Sequence, residues 1–124
     1  VAVIQLQPNN AAAYNNLAWV SSKLNKEGAI AYAEKANALA PNQPALMDTL
    51  AMLLSDKGDY AKAVELQNKA LALQPQNALF KLNLAKIYIK GGKKDLAKKE
   101  LDDLIKLGDK FPSQAEVAAL LVSL

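Results

Sequence analysis

Residues 44–77 read PALMDTLAMLLSDKGDYAKAVELQNKALALQPQN, and the architecture of the whole chain follows from them. Pro44 suits the first position of a helix, where its missing N–H would have had no partner anyway. Met47, Leu50, Ala51 and Leu54 then fall at i, i+3, i+4 and i+7, which makes one apolar stripe. Lys57-Gly58-Asp59 interrupts that stripe: Gly58 can adopt the left-handed stop and Asp59 can cap the next start. Tyr60, Ala63, Val64, Ala70 and Leu71 continue as a second stripe. Gln74-Pro75 ends it, because a residue before proline is pushed out of helical geometry. The stretch predicts two helices joined by a tight turn.

The same pattern returns on both sides. LQPNNA at 6–11 reappears as LAPNQPA at 39–45 and as LQPQNA at 73–78. Pro8, Pro41 and Pro75 are spaced 33 and then 34 residues apart, and Ala29, Ala63 and Ala97 keep an interval of 34. A fixed period of this length marks a stacked repeat architecture. The expected division is the tail of an upstream repeat at 1–10, repeats at 11–43, 44–77 and 78–111, and a terminal capping helix at 112–124. The fold class is therefore all-α, a solenoid of helical hairpins. Helices are expected near 10–24, 27–39, 44–56, 60–73, 78–90, 94–107 and 113–123, with a helical stub at 1–6. Counted in register, 1–7 is the end of a second helix whose partner lies upstream, so the chain is expected to be the end of a longer array. Ser113-Gln114-Ala115-Glu116 has the form of a capping box for the last helix.

Composition narrows the function. Of 124 residues, 52% are hydrophobic, and Cys and His are absent. The usual general base, thiol nucleophile and zinc ligands are thus missing, so no metal, cofactor or catalytic residue is expected. All fifteen basic residues are Lys, which removes the bidentate fork that reads phosphates and guanine edges. Nine Lys lie between Lys81 and Lys110 against five acids, a mixed and solvated face, so nucleic acid is not an expected partner. No apolar run approaches the roughly 18 residues of a membrane span. Asp102-Asp103 and Ser21-Ser22-Lys23 are neighbours in sequence and cannot converge on a helix. An enzyme is not expected.

A 34-residue hairpin with Leu50-Ala51 in the first helix, Gly58 at the turn, Tyr60, Ala63 and Ala70 in the second and Pro75 at its close resembles the tetratricopeptide repeat. The resemblance implies that first helices of successive repeats line a concave groove that holds peptides or helices of a protein partner. Carried onto this chain, the groove positions are Ala12, Asn15, Asn16, Trp19, Ser22 and Lys23 in the first repeat. Ala45, Asp48, Thr49, Met52, Ser55 and Asp56 follow in the second, then Leu79, Leu82, Asn83, Lys86, Ile89 and Lys90 in the third. The family's carboxylate clamp is not expected, since Leu79 and Asn83 stand where part of it would be. Asn16, Thr49 and Asn83 share one repeat position. They form either a ladder gripping a peptide backbone or bonds within and between helices. Trp19 is either an interface anchor or packing between first helices, and Met52 is a half-buried filler or a contact.

A narrower resemblance rests on NNAAAYNNLAW, PALMDTLAMLLSDKGDYAKAVELQNKALAL and LGDKFPSQAEVAALL. Together these strings are similar to the C-terminal part of the TPR-repeat lipoprotein of bacterial PEP-CTERM/exosortase exopolysaccharide systems. Met52 stands where that family is expected to carry Trp, and Arg is missing. The resemblance implies a periplasmic or outer-membrane-associated parent and a role in export; without it, a cytoplasmic location is expected. The expected function is a non-enzymatic protein-interaction scaffold. The alternative is a self-association module that oligomerises its parent, with apolar surfaces pairing copies of the chain.

Overall fold

The computed structural model describes residues 10–22, 26–108 and 111–124. Among these are seven helices and no strand: α1 (Ala11–Ser21), α2 (Lys26–Leu39), α3 (Pro44–Lys57), α4 (Tyr60–Leu73), α5 (Ala78–Lys90), α6 (Lys94–Ile105) and α7 (Gln114–Ser123). The expected helical stub at 1–6 and the end of the first helix at 23–25 lie outside the described residues.

Each boundary has a local cause. Pro44 occupies the first turn of α3. Gly58 sits at φ 102°, and the N–H groups of Gly58 and Asp59 close back onto the carbonyls of Ser55 (3.0 Å) and Leu54 (2.8 Å). That pair of bonds is the Schellman arrangement, which satisfies the last carbonyls of a helix. Gly92, at φ 79°, closes α5 in the same way through Ile89 and Tyr88. Asn10 and Asn77 cap α1 and α5, their side chains accepting from Ala13 N (3.0 Å) and Phe80 N (3.1 Å).

Three expectations need correction. The Asp59 side chain makes no capping bond to α4. The Ser113–Glu116 capping box does not form, and Gln114 instead donates to the carbonyls of Leu104 (2.7 Å) and Gly108 (3.0 Å), tying the start of α7 to the end of α6. Helix α6 stops at Ile105 rather than at 107: Leu107 N bonds Leu104 O, a tighter turn, and Gly108 leaves the right-handed region at φ 56°.

Helices α1/α2, α3/α4 and α5/α6 pack as hairpins, and α7 lies against α6. Successive hairpins meet through α2–α3 and α4–α5, while α1–α3 and α3–α5 place the first helices side by side. The core is correspondingly a row of clusters rather than one ball. One gathers Ala18, Ala29, Ala33, Leu50, Leu53, Ala63 and Ile87, and another Leu82, Ala85, Ala97, Leu101, Leu104, Phe111 and Val117. Ala29, Ala63 and Ala97 have no exposed surface. A side chain of one carbon lets neighbouring backbones approach closely enough for ridges to enter grooves. Tyr14 and Tyr32 join α1 to α2 with ring centroids 6.2 Å apart. At the second joint Gly91 is required by contact, since a Cβ there would lie 3.2 Å from the Tyr60 ring.

Candidate functional site on the first-helix face

The three first helices present the face on which binding residues were expected, and their side chains fall into three groups. Asn16 and Trp19 on α1 and Leu79 on α5 are exposed, Trp19 at 47%. Asn15, Met52, Asn83 and Lys86 are half-buried, and Lys90 is exposed. Thr49 and Leu82, both expected to line the groove, are buried instead. Leu82 belongs to the core around Leu101 and Leu104 because the third repeat turns an apolar residue inward where the second has Asp48. Thr49 donates its hydroxyl to Ala45 O (3.1 Å) within its own helix. Lys23 lies outside the described residues. Of the two roles open to Trp19, exposure favours contact with a partner over packing, and Met52 rests against the core as a filler.

Beneath this face lies a polar cluster that joins the second repeat to the third. Gln67 on α4 has no exposed surface, and its Nε2 donates to Asp48 Oδ1 (2.7 Å) and to Phe80 O (2.9 Å). Asn83 Nδ2 donates to both oxygens of Asp48, at 2.9 and 3.2 Å. The amide donors of Asn83 are thereby committed inward, and Thr49 is out of reach. The asparagine ladder therefore does not exist as an open row: only Asn16 keeps a side chain with no partner among the described residues. Asp48 is itself almost buried, and the two amides supply the donors that a desolvated carboxylate needs.

An analogous clasp joins the first repeat to the second, where Asn37 Nδ2 donates to Ala33 O (2.9 Å) and Leu46 O (3.0 Å). Leu46 and Phe80 are 34 residues apart, so both clasps seize the same carbonyl of the following first helix. Sequence reasoning missed these residues. Their signal was an amide side chain interrupting the apolar stripe of a second helix, at Asn37 and at Gln67.

The charges of the face are largely paired within the molecule. Lys90 meets Asp56 across α5 and α3, and Lys86 meets Glu116 across α5 and α7. Asp48 has no cationic partner among the described residues. A separate cleft of about 360 Å³ opens at the turn end of the second and third repeats, lined by Tyr60, Val64, Ile87, Tyr88 and Leu96. It is apolar and brings no polar groups into convergence. Among the described residues no group of three or more acidic, His or Cys side chains is placed to hold a metal ion, and no helix is long and apolar enough to cross a membrane.

A family model described as Tetratricopeptide repeat matches residues 54–124, more than half of the chain. No curated protein matches the sequence. A crystal structure of TTC0263, a thermophilic TPR protein of Thermus thermophilus, superposes with a TM-score of 0.83 at 18% identity, over 98% of this chain and 69% of that one. One crystal structure of MamA gives 0.79 at 18% identity over 97% and 69% of the two chains, and another gives 0.72 at 22% over 86% and 59%. SycD, the type III secretion translocator chaperone of Yersinia enterocolitica, solved as an alternative dimer, gives 0.77 at 16% identity over 91% and 89%. At these identities the likeness is one of fold.

Proposed function

The chain belongs to the tetratricopeptide repeat family, and from that premise we propose that it is a non-enzymatic scaffold holding an extended peptide or helix of a protein partner on the face of α1, α3 and α5. Proteins of this family bind protein partners. The observation that carries the proposal is Trp19, 47% exposed on a first helix beside Asn16 and one repeat from Met52. Tryptophan is enriched at protein interfaces and concentrates their binding energy. Trp19 is also the single Trp of the chain, so its fluorescence reports on this face directly. Titration with peptides from candidate partners should shift that emission, and Asn16→Ala should weaken binding while leaving the melting temperature unchanged. Binding that survives both Asn16→Ala and Trp19→Ala, read by calorimetry, would place the partner elsewhere.

Self-association is the second reading, and the outer side of α7 favours it. Val122 is 88% exposed there, with Ala115, Ala118 and Ala119 exposed on the same helix. The apolar character of this surface departs from the polar outer face that a capping helix usually carries. Sedimentation of the wild type and of Val122→Glu separates the readings, because only a dimer through α7 dissociates on the substitution. Within the scaffold proposal, the strings NNAAAYNNLAW and LGDKFPSQAEVAALL support a narrower assignment to an exported lipoprotein of exopolysaccharide systems, working in the periplasm or at the outer membrane. Detection of the parent in an outer-membrane fraction, and its co-purification with an export component, would test that assignment.

A further inference from the structure

The first-helix face offers hydrogen-bond acceptors and one uncompensated negative charge, and that imbalance specifies the chemistry of what it receives. Lys86 and Lys90 are each held by a carboxylate of this chain, Glu116 and Asp56. Asp48 receives only neutral amides, from Gln67 at 2.7 Å and from Asn83 at 2.9 and 3.2 Å, and no ion pair with it exists among the described residues. Its Oδ2 has a single donor, the longer of the two Asn83 bonds. Asn83 spends its Nδ2 on both of those bonds and so contributes inward donors only. On the neighbouring helix α1, Asn15 occupies the repeat position of Asp48, and its Oδ1 is buried with no donor. A buried acceptor without a donor is costly to leave so, and a partner that brings an N–H removes the cost.

Resting on the scaffold reading above, we infer that the face selects a partner segment carrying a Lys or Arg side chain, whose cation meets the Asp48 carboxylate. A carboxylate-terminated or acidic segment would meet Asp48 and find both groove lysines already paired. A basic side chain supplies what the face lacks, namely positive charge at Asp48 and N–H donors along α1 and α3. Its aliphatic stem also suits Trp19, whose exposed ring offers apolar surface and a face attractive to cations. Charge-assisted hydrogen bonds are the strong ones, so the contact should dominate selectivity among otherwise similar peptides.

The test uses the whole chain and a random peptide library displayed on phage. Enrichment of Lys and Arg among selected peptides is expected. A synthetic peptide of the consensus should bind about 10- to 100-fold more weakly when its lysine is acetylated, the span that a charged hydrogen bond commands. Acetylation alters only the peptide, so this arm is independent of any effect on folding. Asp48→Asn, checked for an unchanged melting curve, should abolish the difference between the free and acetylated peptides. Selected peptides with no basic preference, or with an acidic one, that still shift Trp19 emission would overturn this inference and leave the scaffold reading standing. A difference that persists undiminished in folded Asp48→Asn would also overturn it. A library that yields no binder at all would overturn both.

Discussion

Replacing Gln67 by Leu tests whether the buried polar cluster holds the second and third repeats together. The substitution keeps the volume roughly constant and removes both amide groups. It deletes the donor to the Asp48 carboxylate at 2.7 Å, a bond to a charged group worth about 1.5–3 kcal/mol. It also deletes the bond to Phe80 O at 2.9 Å, worth about 0.5–1.5 kcal/mol, since that carbonyl keeps its partner inside α5. Against these losses stands a gain: Gln67 Oε1 is buried with no partner, and removing it returns about 1–2 kcal/mol of desolvation. The balance is a net destabilisation of about 1–3 kcal/mol. Urea unfolding followed by far-ultraviolet circular dichroism should show an earlier midpoint with an unchanged slope. Pairing Gln67→Leu with Asp48→Asn in a double-mutant cycle should reveal a coupling of about 1 kcal/mol, as expected for residues in one network. A Gln67→Leu chain as stable as the wild type, or a coupling of zero, would refute the assignment of this cluster as the clasp between repeats.

The other predictions follow from burial and charge. Ala63 has no exposed surface at the crossing of α3 and α4, so Ala63→Leu should overpack it and lower stability by about 1–3 kcal/mol in the same urea assay. Removing 113–124 strips Val117 and Leu120 from Leu101, Leu104 and Phe111, and the shortened chain should aggregate in light scattering; a monomer with the wild-type melting temperature would refute the capping role of α7. Burial, reinforced by Asp103 and opposed by Lys81 and Lys99, raises the Glu100 carboxyl above its ordinary 4.5. The folded state then holds that proton more tightly than the unfolded one, so this group's contribution to stability is lost as pH rises through the folded value. Glu100→Gln should therefore melt higher than the wild type at neutral pH and lose its advantage below pH 4.5; a Gln variant that melts lower at neutral pH would contradict the sign.

The helices and their breaks were legible because they depend on local rules. Pro44 at a helix start, Gly58 and Gly92 at left-handed stops and Pro75 after α4 act through backbone sterics that need no distant partner. The 34-residue spacing of Ala29, Ala63 and Ala97 announced the stacking, since only small side chains repeat at close crossings. The caps were less legible. Ser113 and Asp59 carry the right side chains but are not used, whereas Gln114 reaches the end of α6 through a turn whose path depends on Gly108.

The face was only half written in the sequence. Repeat register placed Asn16, Trp19, Asp48 and Asn83 on first helices, but register says nothing of how deep a side chain sits or which neighbour takes its hydrogen bonds. Asp48 is drawn inward by Gln67, a residue 19 positions away on a different helix, and Asn83 follows it across 35 positions. The same register position carries Asn15, Asp48 and Leu82, and packing gives each a different fate: an unpartnered acceptor, a clasped carboxylate and a core residue. Pattern along the chain is a one-dimensional property and sets the helices. Burial and the pairing of polar groups are decided only when those helices meet, because both depend on atoms brought together from distant parts of the chain.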